Sequence, residues 1–268
     1  MTNTFLIGAA KAATSSMAHW LSQHQDVFLI NGKESNYWRR DYYRGEQWYY
    51  DSCHQGYAGE KIVLDASTIN QVLHYSPSRI AQLCPDPKII LCVRDPIDRA
   101  YAHWRMLASW RPGRVHEKFS DAILHNMKNF SEDKFSLEGD FVPFLEPKGE
   151  CYLPSLIEQG LYGHNISYYL RKFRQQRIHL VDYDEIVAHP EKVWAETCSF
   201  LEISHRAIPL VPHEPNTKLS YKIHYYEELD VNLLCALIGL YTKDLQELDI
   251  HFDKDYAGKF VNKWSKRI

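Results

Sequence analysis

Three short stretches carry side chains suited to chemistry on an anionic substrate. The first is Gly8-Ala-Ala-Lys11-Ala-Ala-Thr14-Ser15-Ser16. It follows an apolar run, Phe5–Ile7, and precedes an apolar-periodic segment through Met17, Trp20 and Leu21. That order predicts strand, tight loop and helix. A small-residue loop that opens a helix presents backbone N–H groups, and the helix dipole favours an anion there. Lys11 adds a positive charge, and Thr14 and Ser15 add hydroxyl donors. Gly8, Ala10, Lys11, Ala12, Ala13, Thr14 and Ser15 are therefore a candidate phosphate cradle. The same residues also fit a plain turn into an ordinary first helix, with Thr14 or Ser15 as its N-cap. Lys11 stands three residues after Gly8 and three before Thr14. That spacing matches neither G-x-x-x-x-G-K-[ST] nor the dinucleotide pattern G-x-G-x-x-G.

The second stretch is Lys33-Glu34-Ser35, whose carboxylate could take a proton from a hydroxyl or could simply pair with Lys33. The third is Arg94-Asp95-Pro96-Ile97-Asp98-Arg99-Ala100, directly after the apolar run Lys88–Val93. Arg94 suits phosphate binding at a strand end or an ion pair with Asp95 or Asp98, whereas Arg99 suits a pairing within its own helix. Asp65, in Asp65-Ala-Ser-Thr68, offers a second carboxylate. His54 and His103 are further possible bases, although a lone histidine more often packs than reacts.

The elements that must position these residues alternate along the chain. Strands are expected at Thr4–Ile7, Val27–Ile30, Lys61–Leu64, Lys88–Val93 and Ile178–Val181. Helices are expected at Thr14–Gln23, Pro77–Leu83 with Ser76 as cap, Ile97–Met106, Leu156–Phe173, Pro190–Leu201 and Val231–Leu245, with a helical patch at Phe119–Met127. The alternation predicts an α/β fold: a single domain over 1–268 with a central, mainly parallel sheet flanked by helices. Lys88–Val93, uninterrupted in its apolarity, reads as the central strand. In such a sheet the loops after the first strand, after Asp65 and at Arg94 leave the same edge and converge. Residues 106–150 are the least regular and form a candidate acceptor-binding or lid insertion.

The composition narrows the classes. Of 268 residues, 45% are apolar, enough for a sizeable core, and the formal net charge is −3. That balance argues against a nucleic-acid surface while leaving room for a local basic pocket. No apolar run reaches the roughly 20 residues needed to span a membrane. The six cysteines, at 53, 84, 92, 151, 198 and 235, form no C-x-x-C pair and no metal-ligand spacing. They are expected to be reduced, in a cytoplasmic protein without a leader peptide.

Four pieces in this order, GAAKAATSS (8–16), KES (33–35), RDPIDRAYAHW (94–104) and the stretch 160–193, resemble the sulfotransferases that use 3′-phosphoadenosine 5′-phosphosulfate (PAPS). The likeness is to the heparan sulfate branch and its bacterial relatives, over about residues 4–203. The resemblance implies a P-loop-like sulfotransferase fold, PAPS as donor, 3′-phosphoadenosine 5′-phosphate (PAP) as product, and no metal. It assigns the 5′-phosphosulfate loop to Gly8–Ser16, with Lys11 stabilising the departing phosphate, and the general base to Glu34. It places Arg94 on the 3′-phosphate, with Tyr162 as a further contact. The family's serine on that phosphate falls at Ala102, so that contact is lost or is replaced by His103 or another residue. The glycines that usually follow the lysine are Ala12 and Ala13, tolerable if φ stays negative. The family's late nucleotide-covering loop has its nearest echo at Asn216–Lys222, through Lys218 or Lys222.

The acceptor is expected to be a small molecule, such as a specialised metabolite, or a glycan, receiving sulfate on a hydroxyl or an amine. Tyr37, Trp38, Trp48, Tyr49 and Trp104 are the expected lining, with Asp65 and His103 near the acceptor. Two other functions fit some of the residues. One is a P-loop kinase or NTPase, which the lysine spacing disfavours; the other is a non-catalytic nucleotide-binding protein, which Ala102 and the alanine loop would suit.

Overall fold

The computed structural model describes residues 1–30, 33–110, 118–129, 156–210 and 229–266. Most of the 106–150 insertion, and all of Asn216–Lys222, lie outside the described residues. Five strands, β1 (Thr4–Gly8), β2 (Val27–Leu29), β3 (Ile62–Asp65), β4 (Lys88–Val93) and β5 (Ile178–Asp182), form one sheet in the order β2-β3-β1-β4-β5. Every pairing is parallel. The protein is thus α/β, with a parallel sheet flanked by helices.

The strands form where the sequence is continuously apolar. All six residues of β4 are buried, as are all five of β1, which is what strands covered on both faces require. β1, not β4, is central, lying between β3 and β4. Its register pairs Phe5 with both Asp65 and Ile89 and then slips between Leu6 and Gly8. The slip ends the ladder where the chain turns into the small-residue loop.

The described helices are α1 (Thr14–Ser22), α2 (Gly45–Cys53), α3 (Ser76–Leu83), α4 (Pro96–Trp110), α5 (Phe119–Asn129), α6 (Tyr162–Leu170), α7 (Tyr183–Ala188), α8 (Pro190–Leu201), α9 (Val231–Phe252) and α10 (Tyr256–Trp264). The expected single helix over 156–173 is instead a 3₁₀ turn, Glu158–Gly160, followed by α6. Gly160 accounts for the break: a Cβ there would meet Pro96 Cβ and a Tyr241 ring carbon, each at 2.9 Å. α3 starts one residue early, with Tyr75 rather than Ser76 at its cap position. α2 and α7 were not expected; both are short, and α2 is dominated by polar and aromatic residues.

The chain divides into two compact units. The first, 1–94 with 168–217, holds the sheet, and its core includes Phe5, Trp20, Leu64, Leu91 and Trp194. The second, 95–167 with 218–268, is helical. There Arg99 is fully buried and donates to Gln159 Oε1 at 3.3 Å and to the Leu156 carbonyl, as a structural arginine should. Asp95 caps α4 through the Ile97 and Asp98 amides and also accepts from Trp264 Nε1 and Lys263. Asp244 accepts from the amides of Gly163 and His164, and burial pushes its carboxyl up to about 7.

Candidate active site

The ends of β1, β3 and β4 deliver three loops to one edge of the sheet. After Gly8 the chain makes a tight turn in which Ala9 N–H donates to the Cys92 carbonyl and Ala12 N–H to the Ala9 carbonyl. Lys11 and Ala13 take left-handed backbone, φ 72° and 65°, while Ala12 between them does not. Alternating handedness turns successive N–H groups toward one side, the concavity that binds anions. α1 then begins at Thr14 with Ala13 as its N-cap, not Thr14 or Ser15, and no side chain caps it. The first N–H groups of a helix have no partner within it, which is where an anion can bind.

Ala13 breaks the condition set by the sequence: its φ is positive, so its methyl is strained. An L-residue in this region costs about 1–2 kcal/mol. Ala13→Gly should therefore raise stability by about 1 kcal/mol after glycine's unfolded-state entropy is subtracted. Urea unfolding measures it; a lower midpoint would mean the methyl packs favourably. Gly8 is required for a different reason. A Cβ there would lie 2.5 Å from Gln71 Oε1 and 2.9 Å from Gln71 Cβ. Gln71 is itself buried, so Gly8→Ala should cost about 1–3 kcal/mol by overpacking, again read by denaturation. An unchanged midpoint would show that the loop and Gln71 part freely.

Arg94, at the end of β4, donates from Nη1 to the Lys11 carbonyl at 2.8 Å, and its guanidinium lies 4.3 Å from the centre of the Tyr183 ring. The arginine is thereby fixed on both sides. Asp95 and Asp98 both engage Lys263. Burial lowers the Lys11 pKa, and the Arg94 and Lys33 charges lower it further. Three cations therefore share one neighbourhood, which suits a multiply charged anion.

Glu34 sits in a strained turn: it and Asn36 have φ 69° and 58°. Such outliers persist where surrounding contacts over-determine them. Glu34 Oε1 accepts from Lys33 Nζ at 2.6 Å and from Thr68 Oγ1 at 2.8 Å, and Oε2 accepts from the Thr68 amide at 2.8 Å. The loop after β3 thus grips the carboxylate, and the Lys33 pairing expected for an inert glutamate coexists with that grip. A carboxylate offers about four lone-pair sites, so Oε2 keeps one open.

Asp65 is placed differently from the expectation of a second base or an acceptor contact. It is fully buried, and its oxygens accept from Ser67 Oγ (2.6 Å), Trp38 Nε1 (2.9 Å), Tyr49 OH (2.9 Å) and Ser35 Oγ (3.0 Å). Asp65 is a strut tying the Lys33–Ser35 turn to the loop that holds Glu34. Tyr37, Trp38 and Tyr49 are likewise buried rather than lining an acceptor pocket. Tyr37 stacks on Tyr49 at 4.3 Å, and Trp38 meets Phe5 edge-on at 5.5 Å. Trp48 is half-buried.

The remaining candidates belong to the second unit. Tyr162 is fully buried at the first turn of α6. His103 is buried, with Nδ1 3.3 Å from Arg99 Nη1, and Ala102 is buried beside it in α4. Trp104 is half-buried against Tyr101 and Phe119. Sequence reasoning missed Tyr183 and the part played by Lys33. Tyr183 directly follows β5, the strand beside β4, so the rule that strand ends converge could have found it.

The sulfotransferase domain family matches residues 1–221. The chain belongs to that family. It is similar to the membrane-associated sulfotransferase kil1 of Dictyostelium discoideum, 21% identical over 86% of this chain and 64% of that protein. It is also similar to the human heparan sulfate glucosamine 3-O-sulfotransferase 3B1, 24% identical over 69% of this chain and 42% of that protein. The chain therefore spans less than two thirds of either relative's length. The crystal structure of a sulfotransferase from Alicyclobacillus acidocaldarius shares the fold, with a TM-score of 0.73, 23% identity, and coverage of 96% of this chain and 98% of that one. Among the described residues no helix is long and apolar enough to cross a membrane.

Proposed function

We propose that this sulfotransferase moves a sulfuryl group from PAPS to a hydroxyl or amine of a small-molecule or glycan acceptor. The observation that carries the reading is the gathering of Lys11, Arg94 and Lys33 around an uncapped helix start, with the Glu34 carboxylate gripped by the adjoining loop. The donor, when bound, supplies the sulfuryl group and a phosphate leaving group, and transfer is an in-line displacement with a loose transition state.

The residues present fit that donor. The backbone N–H groups of Ala13–Ser15, with the Thr14 and Ser15 hydroxyls, hold the phosphosulfate oxygens. Lys11 stabilises the charge that develops on the departing phosphate. Arg94, fixed by Tyr183, takes the 3′-phosphate. Glu34 receives the acceptor's proton at Oε2, the oxygen with an open site, as the acceptor attacks sulfur.

The overall acidic balance favours a small neutral or cationic acceptor, or a modest glycan, over a heavily sulfated polymer. The relatives named for heparan sulfate support a sugar hydroxyl within that range. The test is calorimetric binding of PAP together with transfer of labelled sulfate from PAPS to a panel of phenols, amino sugars and oligosaccharides. PAP binding with turnover of at least one acceptor is expected. Absence of PAP binding would overturn the reading, and strong preference for a highly sulfated polymer would overturn its acceptor class.

A further inference from the structure

A carboxylate base next to a sulfate donor poses an electrostatic problem. Both are anions, and the carboxylate must sit near the sulfuryl oxygens to reach the attacking nucleophile. Each would repel the other from the geometry that transfer requires. Thr68 orients Glu34 but brings no net charge to offset this.

We propose that Lys33 is the positioning residue that solves this problem, binding Glu34 Oε1 and shielding the base from the sulfuryl group. The proposal rests on the function given above. Its geometry is a 2.6 Å contact between Lys33 Nζ and Glu34 Oε1 in a turn fixed by three further bonds. Glu34 N–H donates to the Ala66 carbonyl, Ser35 N–H donates to Ser67 Oγ, and Asn36 Nδ2 donates to the Glu34 carbonyl. Lys33 is also near enough to Lys11 for its charge to act there.

The division of labour on the carboxylate follows. Oε1 is taken by Lys33 and the Thr68 hydroxyl, so Oε2 is the oxygen that accepts the proton. During transfer the O–H or N–H bond of the acceptor breaks, its proton passes to Glu34 Oε2, and its electron pair forms the bond to sulfur. The sulfur–oxygen bond to the phosphate breaks, and that oxygen leaves with its electron pair. Lys33 keeps its proton throughout. The role separates Lys33 from an ordinary exposed ion pair, which contributes little.

Four variants test it: Lys33→Met, Lys33→Arg, Glu34→Gln and Lys33→Met/Glu34→Gln. Lys33→Met should lower kcat by about 10–10²-fold, the range for losing a hydrogen bond to a charged group. Its affinity for PAP, which lacks the sulfuryl group, should fall by clearly less than kcat does, and Lys33→Arg should restore most of kcat. In the Glu34→Gln background, removing Lys33 should cost little more, because the two residues act as a unit. Wild-type-like kcat in Lys33→Met would overturn the role. So would a loss of PAP affinity matching the loss in kcat, or full multiplicative losses in the double variant. Failure of the wild-type protein to bind PAP or turn over any acceptor is a different result, and it would fall on the proposed function itself.

Discussion

Lys11→Ala is expected to lower kcat by at least about 10²–10³-fold, the scale for deleting one group that stabilises charge as it develops. The loss should appear in kcat more than in KM, because the bridging oxygen gains most of its charge only as the sulfur–oxygen bond breaks. PAP affinity should also fall, since the product carries a full phosphate charge where Lys11 acts. The fold should survive. The loop is set by the backbone bonds from Ala9 to Cys92 and from Ala12 to Ala9, and neither uses the Lys11 side chain. The variant also removes a partly buried cation from beside Arg94 and Lys33, relieving the like-charge repulsion that lowers the Lys11 pKa. Unfolding stability should therefore hold or rise while activity collapses, a combination that a damaged fold would not give. Steady-state kinetics and urea unfolding on one preparation measure both; near-normal kcat would remove Lys11 from the chemistry.

Glu34→Gln should separate transfer from binding. Loss of a general base costs about 10²–10⁴-fold. The amide keeps its oxygen for the Thr68 N–H, and the Thr68 hydroxyl can turn to accept from the new NH2, so the turn should stay in place and PAP should bind as tightly as to the parent protein. Near-normal turnover would show that another group takes the proton. Asp65 is a poor substitute, being fully buried and engaged by four donors. If PAP affinity falls along with turnover, the glutamate is holding the donor loop rather than serving as base.

The parts of this architecture legible in the sequence are those determined locally. β4 announces itself through six successive buried residues, and the β1 loop through its small residues and hydroxyls. Glu34 and Arg94 were legible because they follow those elements at short range. What escaped depends on contacts between distant segments. Tyr37, Trp38 and Tyr49 look like pocket aromatics, each with a polar tip. They are buried because Asp65, 27 residues from Trp38 and 16 from Tyr49, supplies acceptors for two of those tips. The left-handed backbone at Ala13 was also invisible, since nothing in two successive alanines says which one turns.

The sheet order also bears on how the molecule is made. β1 leaves the ribosome first, yet it occupies the middle of the sheet and needs β3 and β4 as neighbours. The edge strand β5 ends at Asp182, so the sheet is complete only once synthesis has passed that residue. At ordinary rates of synthesis, β1 waits on the order of 10 s for β4, the second of its two neighbours. Until then an apolar strand with at least one unpaired edge is open to wrong partners and to chaperones. The donor loop, held by a bond from Ala9 to Cys92, cannot take shape until β4 has arrived. Nascent-chain length, rather than loop composition, therefore sets when the turn after β1 takes its form.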